Sequence, residues 1–180
     1  MRAIVAILVL SSAVAVAGCA GTGEQGLGAA AAEGRAELVD ASGVAKGTAR
    51  LRQTGGGVEV RIAANGLPAG PKGFHVHTTG KCDAPDFASA GGHWNPTAMK
   101  HGTESPAGPH LGDMPNLVIA ANGSGEARFT LAGATLTGGA TPLMDADGSA
   151  VMIHAGADDY KTDPSGNSGG RIACGVVTMR

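Results

Sequence analysis

Apolar and polar residues alternate in short runs along most of the chain, as they do in half-buried β-strands. The clearest run is Val58–Ile62, in which apolar and charged residues alternate strictly. The dipeptide Asn122-Gly123 separates two such runs and predicts a hairpin turn in which both residues supply positive φ angles. The patterns predict about eight strands, at Arg35–Asp40, Gly47–Gln53, Val58–Ala63, Phe74–Thr78, Leu117–Ala121, Glu126–Leu131, Ala150–His154 and Arg171–Met179.

Short strands without an amphipathic helix predict an all-β fold, an eight-stranded Greek-key β-sandwich or flattened barrel. Two long segments without a strand pattern, Thr79–Asn116 and Ala155–Gly170, interrupt the series. Loops of such length in a compact domain are usually functional or disordered. The first segment contains four residues of types that bind metals, and we predict two long functional loops.

Length and charge narrow the classes of function. The chain has 180 residues, 43% of them hydrophobic, which is enough for one core and too little for two ordinary domains. Its net charge is −2, and without an excess of basic residues the sequence does not indicate nucleic-acid binding.

The first residues have the features of an export signal. Arg2 precedes an apolar run, Ala3–Ala17, that is too short to span a bilayer comfortably. The run ends in Val16–Cys19, which resembles the lipobox of bacterial lipoproteins, where the cysteine thiol receives a lipid. The alternative is an ordinary signal peptide cut near Ala17, with Cys19 incidental. We predict a lipoprotein signal peptide over 1–18, lipidation of Cys19, a flexible tether over 19–32 and a globular domain over 33–180.

These features predict an exported protein that is anchored by lipid to the outer face of a bacterial membrane, in the cell envelope. Three cysteines are an odd number for an exported protein. If Cys19 carries lipid, Cys82 and Cys174 remain, and an oxidising compartment allows them to pair. We therefore predict a disulfide between Cys82 and Cys174.

The six histidines, together with one aspartate, suit a metal site. His75 and His77 lie on one predicted strand, where alternation points both imidazoles to one face and Phe74 and Val76 to the core. His154 ends a distant strand. Imidazole binds both copper and zinc, and one carboxylate beside three nitrogens suits tetrahedral zinc. The remaining candidates lie in the first long segment and are His93, His101, His110 and Asp113.

Four motifs resemble the signatures of copper-zinc superoxide dismutases and occur in the same order: Gly73–His77, Gly92–Pro96, His110–Asp113 and Gly170–Val176. The resemblance covers about residues 34–180 and is to the bacterial lipoprotein type of the family. It implies an enzyme that converts superoxide to dioxygen and hydrogen peroxide with one copper and one zinc ion per subunit.

The resemblance also implies a role for each candidate residue. His93 would bridge both metals and carry a proton during the reaction. Asp158 would link His75 to His101, the alternative being a solvated loop acid. Arg171 would guide the substrate anion beside copper, the alternative being an ordinary cation at a strand end. The implied copper ligands are His75, His77, His93 and His154, and the implied zinc ligands are His93, His101, His110 and Asp113.

Trp94 has no implied chemistry, and we expect it to pack in the core. The segment Ala155–Gly170 is shorter than the charged guiding loop of the eukaryotic enzymes, which puts long-range steering of the substrate in doubt. The segment Cys82–Gly92 is longer than in those enzymes, so their dimer geometry cannot be transferred and a homodimer stays an open option. Two other functions compete with catalysis: storage or delivery of copper or zinc, and a structural module that binds zinc alone.

Overall fold

The structure is a computed structural model that describes residues 31–180. The predicted signal peptide, Cys19 and all but the last two residues of the predicted tether lie outside the described residues. Within that range no helix is long and apolar enough to cross a membrane. The described chain forms one short 3-10 helix, Ala88–Ala90, and nine strands: β1 (Glu33–Val39), β2 (Ala45–Thr54), β3 (Gly57–Ala64), β4 (Gly70–His77), β5 (Asp113–Ile119), β6 (Gly125–Ala132), β7 (Ala150–His154), β8 (Arg171–Val176) and β9 (Thr178–Met179).

Every predicted strand position contains a strand, and the all-β prediction is confirmed. β4 and β5 both begin earlier than predicted because they pair with each other in antiparallel register, from Gly70 opposite Ile119 to His75 opposite Asp113. The last predicted strand is in fact two strands. Val177 separates them and buries its side chain in the core, after which β9 pairs with β1.

The hairpin turn between β5 and β6 differs in detail from the prediction. Of its two central residues only Gly123 has a positive φ angle, at 82°. The Asn122 side chain instead accepts hydrogen bonds from the main-chain N–H and the hydroxyl of Ser124, at 3.0 and 2.7 Å. The asparagine therefore stabilises the turn through its side chain and not through its backbone conformation.

The strands follow the order β5-β4-β7-β8-β1-β2-β3-β6, which makes a nearly closed eight-stranded barrel of the predicted Greek-key type. Neighbours such as β4 and β7, or β3 and β6, are distant in sequence, as crossover connections require. The main core lies between the half formed by β5, β4, β7 and β8 and the half formed by β1, β2, β3 and β6.

β4 and β7 are covered on both faces, and this positions the histidines. Phe74 and Val76 are fully buried in the main core, as the alternation predicts. His75 and His77 point to the other face and are also buried, at 0% and 1% exposure, beneath the segment between β4 and β5. Every residue of β7 is buried as well, and His154 ends that strand. One face of this half therefore packs in the main core, and the other carries the candidate metal ligands.

A disulfide joins Cys82 to Cys174, as predicted. It ties the long segment between β4 and β5 to β8, across 92 residues of sequence. A small apolar cluster that includes Phe87, Ala90 and Met152 surrounds it. The bond therefore connects the long segment to the strand that begins with Arg171.

Candidate metal centre

The structure brings all the predicted ligand residues together in two adjacent clusters with one shared member. In each cluster the ligand atoms lie within 4.8 Å of one another. The first is called the four-histidine cluster and consists of His75, His77, His93 and His154. The second is called the mixed cluster and consists of His93, His101, His110 and Asp113.

Backbone hydrogen bonds join the long segment between β4 and β5 to β4, and they place His93 beside the histidines of that strand. The main-chain N–H of Trp94 donates to the Val76 carbonyl at 2.8 Å, and the Val76 N–H donates to the Gly112 carbonyl at 3.0 Å. His93 lies opposite His77 in an isolated β-bridge. The Trp94 side chain is 4% exposed and belongs to the main core, which confirms its predicted packing role.

The hydrogen bonds of two histidines show which ring nitrogen faces the four-histidine cluster. His77 Nδ1 donates to the Gly91 carbonyl at 2.9 Å, and His154 Nδ1 donates to the Gly169 carbonyl at 3.1 Å. Because a carbonyl only accepts, both rings carry their proton on Nδ1 and present the Nε2 lone pair. Those two Nε2 atoms lie 3.4 Å apart. Two lone pairs that face each other this closely suit a cation between them.

His75 is oriented in the opposite sense. Its Nε2 donates to Asp158 Oδ2 at 2.7 Å, which leaves the Nδ1 lone pair free. His93 has one nitrogen for each cluster: Nδ1 lies 2.8 Å from Asp113 Oδ1, and Nε2 is buried without a partner. The His75 and His93 rings lie 3.9 Å apart between centroids. His93 can therefore bind an ion on each side.

In the mixed cluster the three imidazoles converge on one carboxylate. His101 Nδ1 lies 3.1 Å from Asp113 Oδ2, and His110 Nδ1 lies 3.3 Å from Asp113 Oδ1. The main-chain N–H groups of Gly102 and His110 also donate to Asp113 Oδ2, at 2.9 and 3.0 Å. Three Nδ1 atoms and one carboxylate form the donor set that tetrahedral zinc prefers.

Buried ring nitrogens without a hydrogen-bond partner support a metal site. An unpaired buried polar atom is unfavourable, and native proteins contain few of them. Within residues 31–180 all but one of these side-chain atoms belong to the two clusters, the exception being the hydroxyl of Ser149. The four nitrogens are His75 Nδ1, His93 Nε2, His101 Nδ1 and His110 Nδ1. The residues present therefore fit one copper and one zinc ion.

Burial keeps the four-histidine cluster in its metal-binding protonation state. Desolvation lowers the pKa of His75 to about 4, although the hydrogen bond to Asp158 acts in the opposite direction. Desolvation and the neighbouring histidines likewise lower the pKa of His77 to about 2 and that of His154 to about 3. A neutral imidazole is the form that binds a metal. These rings are already neutral at neutral pH, so no proton has to leave an imidazolium before a metal binds.

The mixed cluster has the opposite electrostatics. Desolvation lowers the pKa of His101, but the carboxylates of Asp113 and Asp158 outweigh it and raise that pKa to about 9. Desolvation raises the pKa of Asp113, but the closely placed imidazoles of His101 and His93 outweigh it and hold that pKa far below its ordinary value. A metal ion that binds His101 would therefore compete with a proton on that ring.

Comparison with known proteins identifies the family. The family model described as copper/zinc superoxide dismutase matches residues 45–177, which is most of the chain. The chain belongs to the copper/zinc superoxide dismutase family. It is therefore an oxidoreductase with copper and zinc as cofactors, and superoxide dismutation is its activity.

Relatives of this dismutase cover most of its length. "Superoxide dismutase [Cu-Zn] 1" of Aquifex aeolicus is 47% identical over 146 residues, which span 79% of this chain and 85% of the relative. The "Superoxide dismutase [Cu-Zn]" of Deinococcus radiodurans is 35% identical over an alignment of 187 positions that covers 97% of this chain and 96% of the relative. The crystal structure of a superoxide dismutase-like protein from Bacillus subtilis matches with a TM-score of 0.76 at 42% identity, covering 79% of this chain and 96% of that one.

Asp158 contacts one histidine of each cluster. Its Oδ2 accepts from His75 Nε2 at 2.7 Å, and its Oδ1 lies 3.0 Å from His101 Nε2. The residue is 3% exposed, so the solvated-acid alternative does not describe its position. Desolvation raises its pKa, but hydrogen bonds from His101 and His75 outweigh it and lower the pKa well below the ordinary value.

Three residues that the sequence did not single out hold Asp158 in place. The Asn116 side chain donates to the Asp158 carbonyl at 2.9 Å and accepts from the Asp158 N–H at 2.8 Å. The Tyr160 hydroxyl accepts from both the main-chain and the side-chain nitrogen of Asn116. At Gly166, where φ is 62°, a Cβ atom would lie 1.8 Å from Asp158 Oδ1. Only a glycine fits there, and nothing in the sequence marked that position among the 31 glycines.

The Arg171 side chain is half-buried and anchored to the long segment. Its guanidinium donates to the carbonyls of Phe87 and Gly91, the latter at 2.6 Å from Nη2. It lines a shallow groove that also includes Asp86, Gly169 and Gly170. Since the Gly169 carbonyl holds His154, this groove adjoins the four-histidine cluster.

Proposed function

We propose that the four-histidine cluster holds the copper ion and that the mixed cluster holds the zinc ion. The assignment rests on the position of His93. Its Nε2 faces the other three histidines of the four-histidine cluster, and its Nδ1 faces the mixed cluster. Imidazole nitrogens alone suit copper, whereas three nitrogens with one carboxylate suit zinc. The assignment gives His75, His77, His93 and His154 as copper ligands and His93, His101, His110 and Asp113 as zinc ligands.

Copper, when bound, supplies the electron exchange, accepting an electron from one superoxide and returning it to the next. Two superoxide ions and two protons thus give one dioxygen and one hydrogen peroxide. We infer that His93 Nε2 holds one of these protons, because it is the ring atom that faces the copper cluster and has no protein partner. The Nδ1 side of the same ring stays fixed beside Asp113, which keeps the imidazole in position during the transfer.

Arg171 is proposed to hold the substrate anion. Its guanidinium is anchored by two carbonyls and lines the groove beside the proposed copper cluster, so it can offer a charge-assisted hydrogen bond to superoxide. Asp86 in the same groove carries the opposite charge. Within the described residues the second long loop adds only one cation, Lys161, which favours local attraction over long-range steering.

The envelope location is proposed on separate grounds. The Cys82–Cys174 disulfide fits an oxidising compartment, because disulfides are rare in the reducing cytosol. We propose that residues 1–18 are removed, that Cys19 is lipidated and that 19–32 tether the domain 33–180 to the outer face of a bacterial membrane. Radiolabelled palmitate should enter the protein and not its Cys19→Ala variant. Equal labelling of both would leave an ordinary signal peptide as the better description.

A homodimer stays a prediction, which measurement of the molecular mass in solution would test.

A single set of measurements tests the catalytic proposal. The metal-loaded protein should contain copper and zinc in a ratio near one and show cyanide-sensitive dismutation of superoxide. His93→Ala should lose most of the activity and reduce the content of both metals, since both clusters lose a ligand. His154→Ala, the matched control, should reduce copper and spare zinc. Full activity of His93→Ala, or equal loss of zinc in His154→Ala, would contradict the shared-ligand assignment.

A further inference from the structure

Four arginines form a row across the exposed face of the sheet half that contains β1, β2, β3 and β6. Arg35 lies opposite Arg50, Arg50 opposite Arg61, and Arg61 opposite Arg128. Adjacent strands are about 4.8 Å apart, so the row extends over roughly 14 Å between its outermost backbones. These four residues are called the arginine row. The net charge of −2 gives no sign of it, because the row exists only once the strands are in register.

The arginine row is unfavourable for stability by itself, since like charges directly opposite each other destabilise a sheet. Glu59 offsets part of the repulsion through Oε1, 2.7 Å from Arg61 Nε, and Oε2, 3.5 Å from Arg128 Nε. Glu37 accepts from Arg35 Nε. Arg50 has no carboxylate within 4.0 Å among the residues that the structure describes.

The carboxylates contact the row through Nε atoms and so leave guanidinium ends available. The terminal nitrogens of Arg61 and Arg128 make no hydrogen bond to the described residues, and neither does any side-chain nitrogen of Arg50. Two surface grooves run beside the row, and Arg50 and Arg61 line both of them. A planar guanidinium with free N–H groups binds phosphate and sulfate oxygens in pairs.

We propose that the arginine row binds a linear polymer that carries phosphate or sulfate groups along its chain. Carboxylates lie in both flanking rows: Glu33 and Glu59, with Arg52 between them, on one side, and Glu37 and Glu126 on the other. A flat anionic surface such as a membrane would meet these carboxylates together with the arginines. A single chain that lies along the row would meet mainly guanidinium groups. The outward-facing positions of these strands also include no aromatic side chain on which nucleic-acid bases could stack.

The proposed surface is independent of the metal centre. The metal-ligand strands β4, β5 and β7 belong to the other half of the barrel. A bound polymer would therefore leave the groove beside Arg171 open and would hold a working enzyme on an anionic matrix.

Binding of the metal-loaded protein to three labelled probes tests the proposal: long-chain polyphosphate, heparin and phosphatidylglycerol vesicles, each at several salt concentrations. The double variant Arg50→Thr/Arg61→Thr removes the two arginines that line both grooves and keeps a residue suited to strands. The matched control, Lys81→Thr/Lys161→Thr, removes the same charge at exposed positions outside the row.

We expect polyphosphate, heparin or both to bind, and the two probes distinguish phosphate from sulfate chemistry. The arginine variant should lose at least roughly tenfold in affinity, with a salt dependence lower by about two ions released. The lysine control should change affinity less than about threefold, and metal content and dismutation should stay at the parent level in the arginine variant. Equal losses in both variants, absence of binding at low salt, or tighter binding to vesicles than to either polymer would overturn the proposal.

Discussion

His77 and Arg171 donate hydrogen bonds to the same acceptor, the main-chain carbonyl of Gly91, at 2.9 and 2.6 Å. One peptide group thus fixes both the tautomer of a proposed copper ligand and the position of the proposed anion-binding cation. At Gly91, where φ is 73°, a Cβ atom would lie 2.4 Å from the Thr78 hydroxyl oxygen, so the position requires glycine. The four-histidine cluster and the proposed anion-binding residue Arg171 are therefore connected through one peptide group and are not merely close.

This link leads to a prediction for Arg171. Arg171→Ile should keep both metals but lower kcat/KM by roughly 10- to 100-fold, since a hydrogen bond to a charged group contributes about 1.5–3 kcal/mol. The rate should also depend less on ionic strength. Arg171→Lys, the control that keeps the charge, should lose less than Ile. Stopped-flow measurement of superoxide decay checks this, and unchanged activity of the Ile variant would point to another cation, with Lys161 as the first candidate.

Asp158→Asn should weaken the binding of both metals. The amide cannot accept from both His75 Nε2 and His101 Nε2, so one of the two rings loses its orientation. Loss of such an outer partner typically reduces metal affinity by about 10- to 100-fold. Asp159→Asn is the control, because that neighbouring carboxylate contacts only its own loop. Competition with chelators measures both affinities, and equal values for the two variants would remove Asp158 from the metal centre.

Asp113→Ala should lose zinc and keep copper. It removes the only anionic side chain of the mixed cluster, whereas His75, His77 and His154 stay in place. The long segment between β4 and β5 should then become mobile, and the melting temperature should fall by more than a surface substitution causes, because metal binding also stabilises the fold. Metal analysis and thermal melts of this variant beside Asp147→Ala, an exposed control, test the point. A full equivalent of zinc and an unchanged melt would show that the zinc site is built differently.

Removal of the disulfide should destabilise the protein strongly. Closing a loop of 92 residues contributes roughly 4–5 kcal/mol in the chain-entropy model. For a domain of this size that corresponds to a fall in Tm of about 8–20 °C for Cys82→Ser/Cys174→Ser. Activity at low temperature should fall too, because Cys82 helps to fix the segment whose carbonyls hold Arg171. A melt within about 2 °C of the parent would contradict the prediction.

The metal-free protein should be most stable near pH 6.5. Burial depresses the pKa of His75 and His154 to about 4 and about 3, so their contribution is present above 6.5 and is lost as the pH falls towards those values. The raised pKa of His101, about 9, acts in the other direction, and its contribution is present below 6.5 and lost as the pH rises through 9. Thermal melts from pH 4 to 10 check this, and His101→Asn should abolish the alkaline decline. A stability that still rises between pH 7 and 9 would be inconsistent with a charged His101.

The sequence by itself determined the strands and the disulfide pair, and it predicted the candidate ligand set. Alternation in Val58–Ile62 is a local property, and His75-Val76-His77 follows the same rule, so both faces of β4 could be predicted. The ligands were recognised because the residue types and their order match a known family. The cysteine pair was predicted by counting, since the predicted export and lipidation of Cys19 would leave two thiols.

Only the tertiary structure decided how these parts are held. Asn116 holds Asp158 and contacts Tyr160 from a segment more than 40 residues away in sequence, and Gly166 leaves room for the Asp158 carboxylate; residue types as common as these carry no local signal. The arginine row likewise depends on the register of four strands, in which Arg35 and Arg128 become parts of one surface. Alternation determines which face of the sheet a residue lies on, but long-range strand pairing determines which residues lie beside it. Both the metal clusters and the arginine row require residues from distant segments to lie side by side.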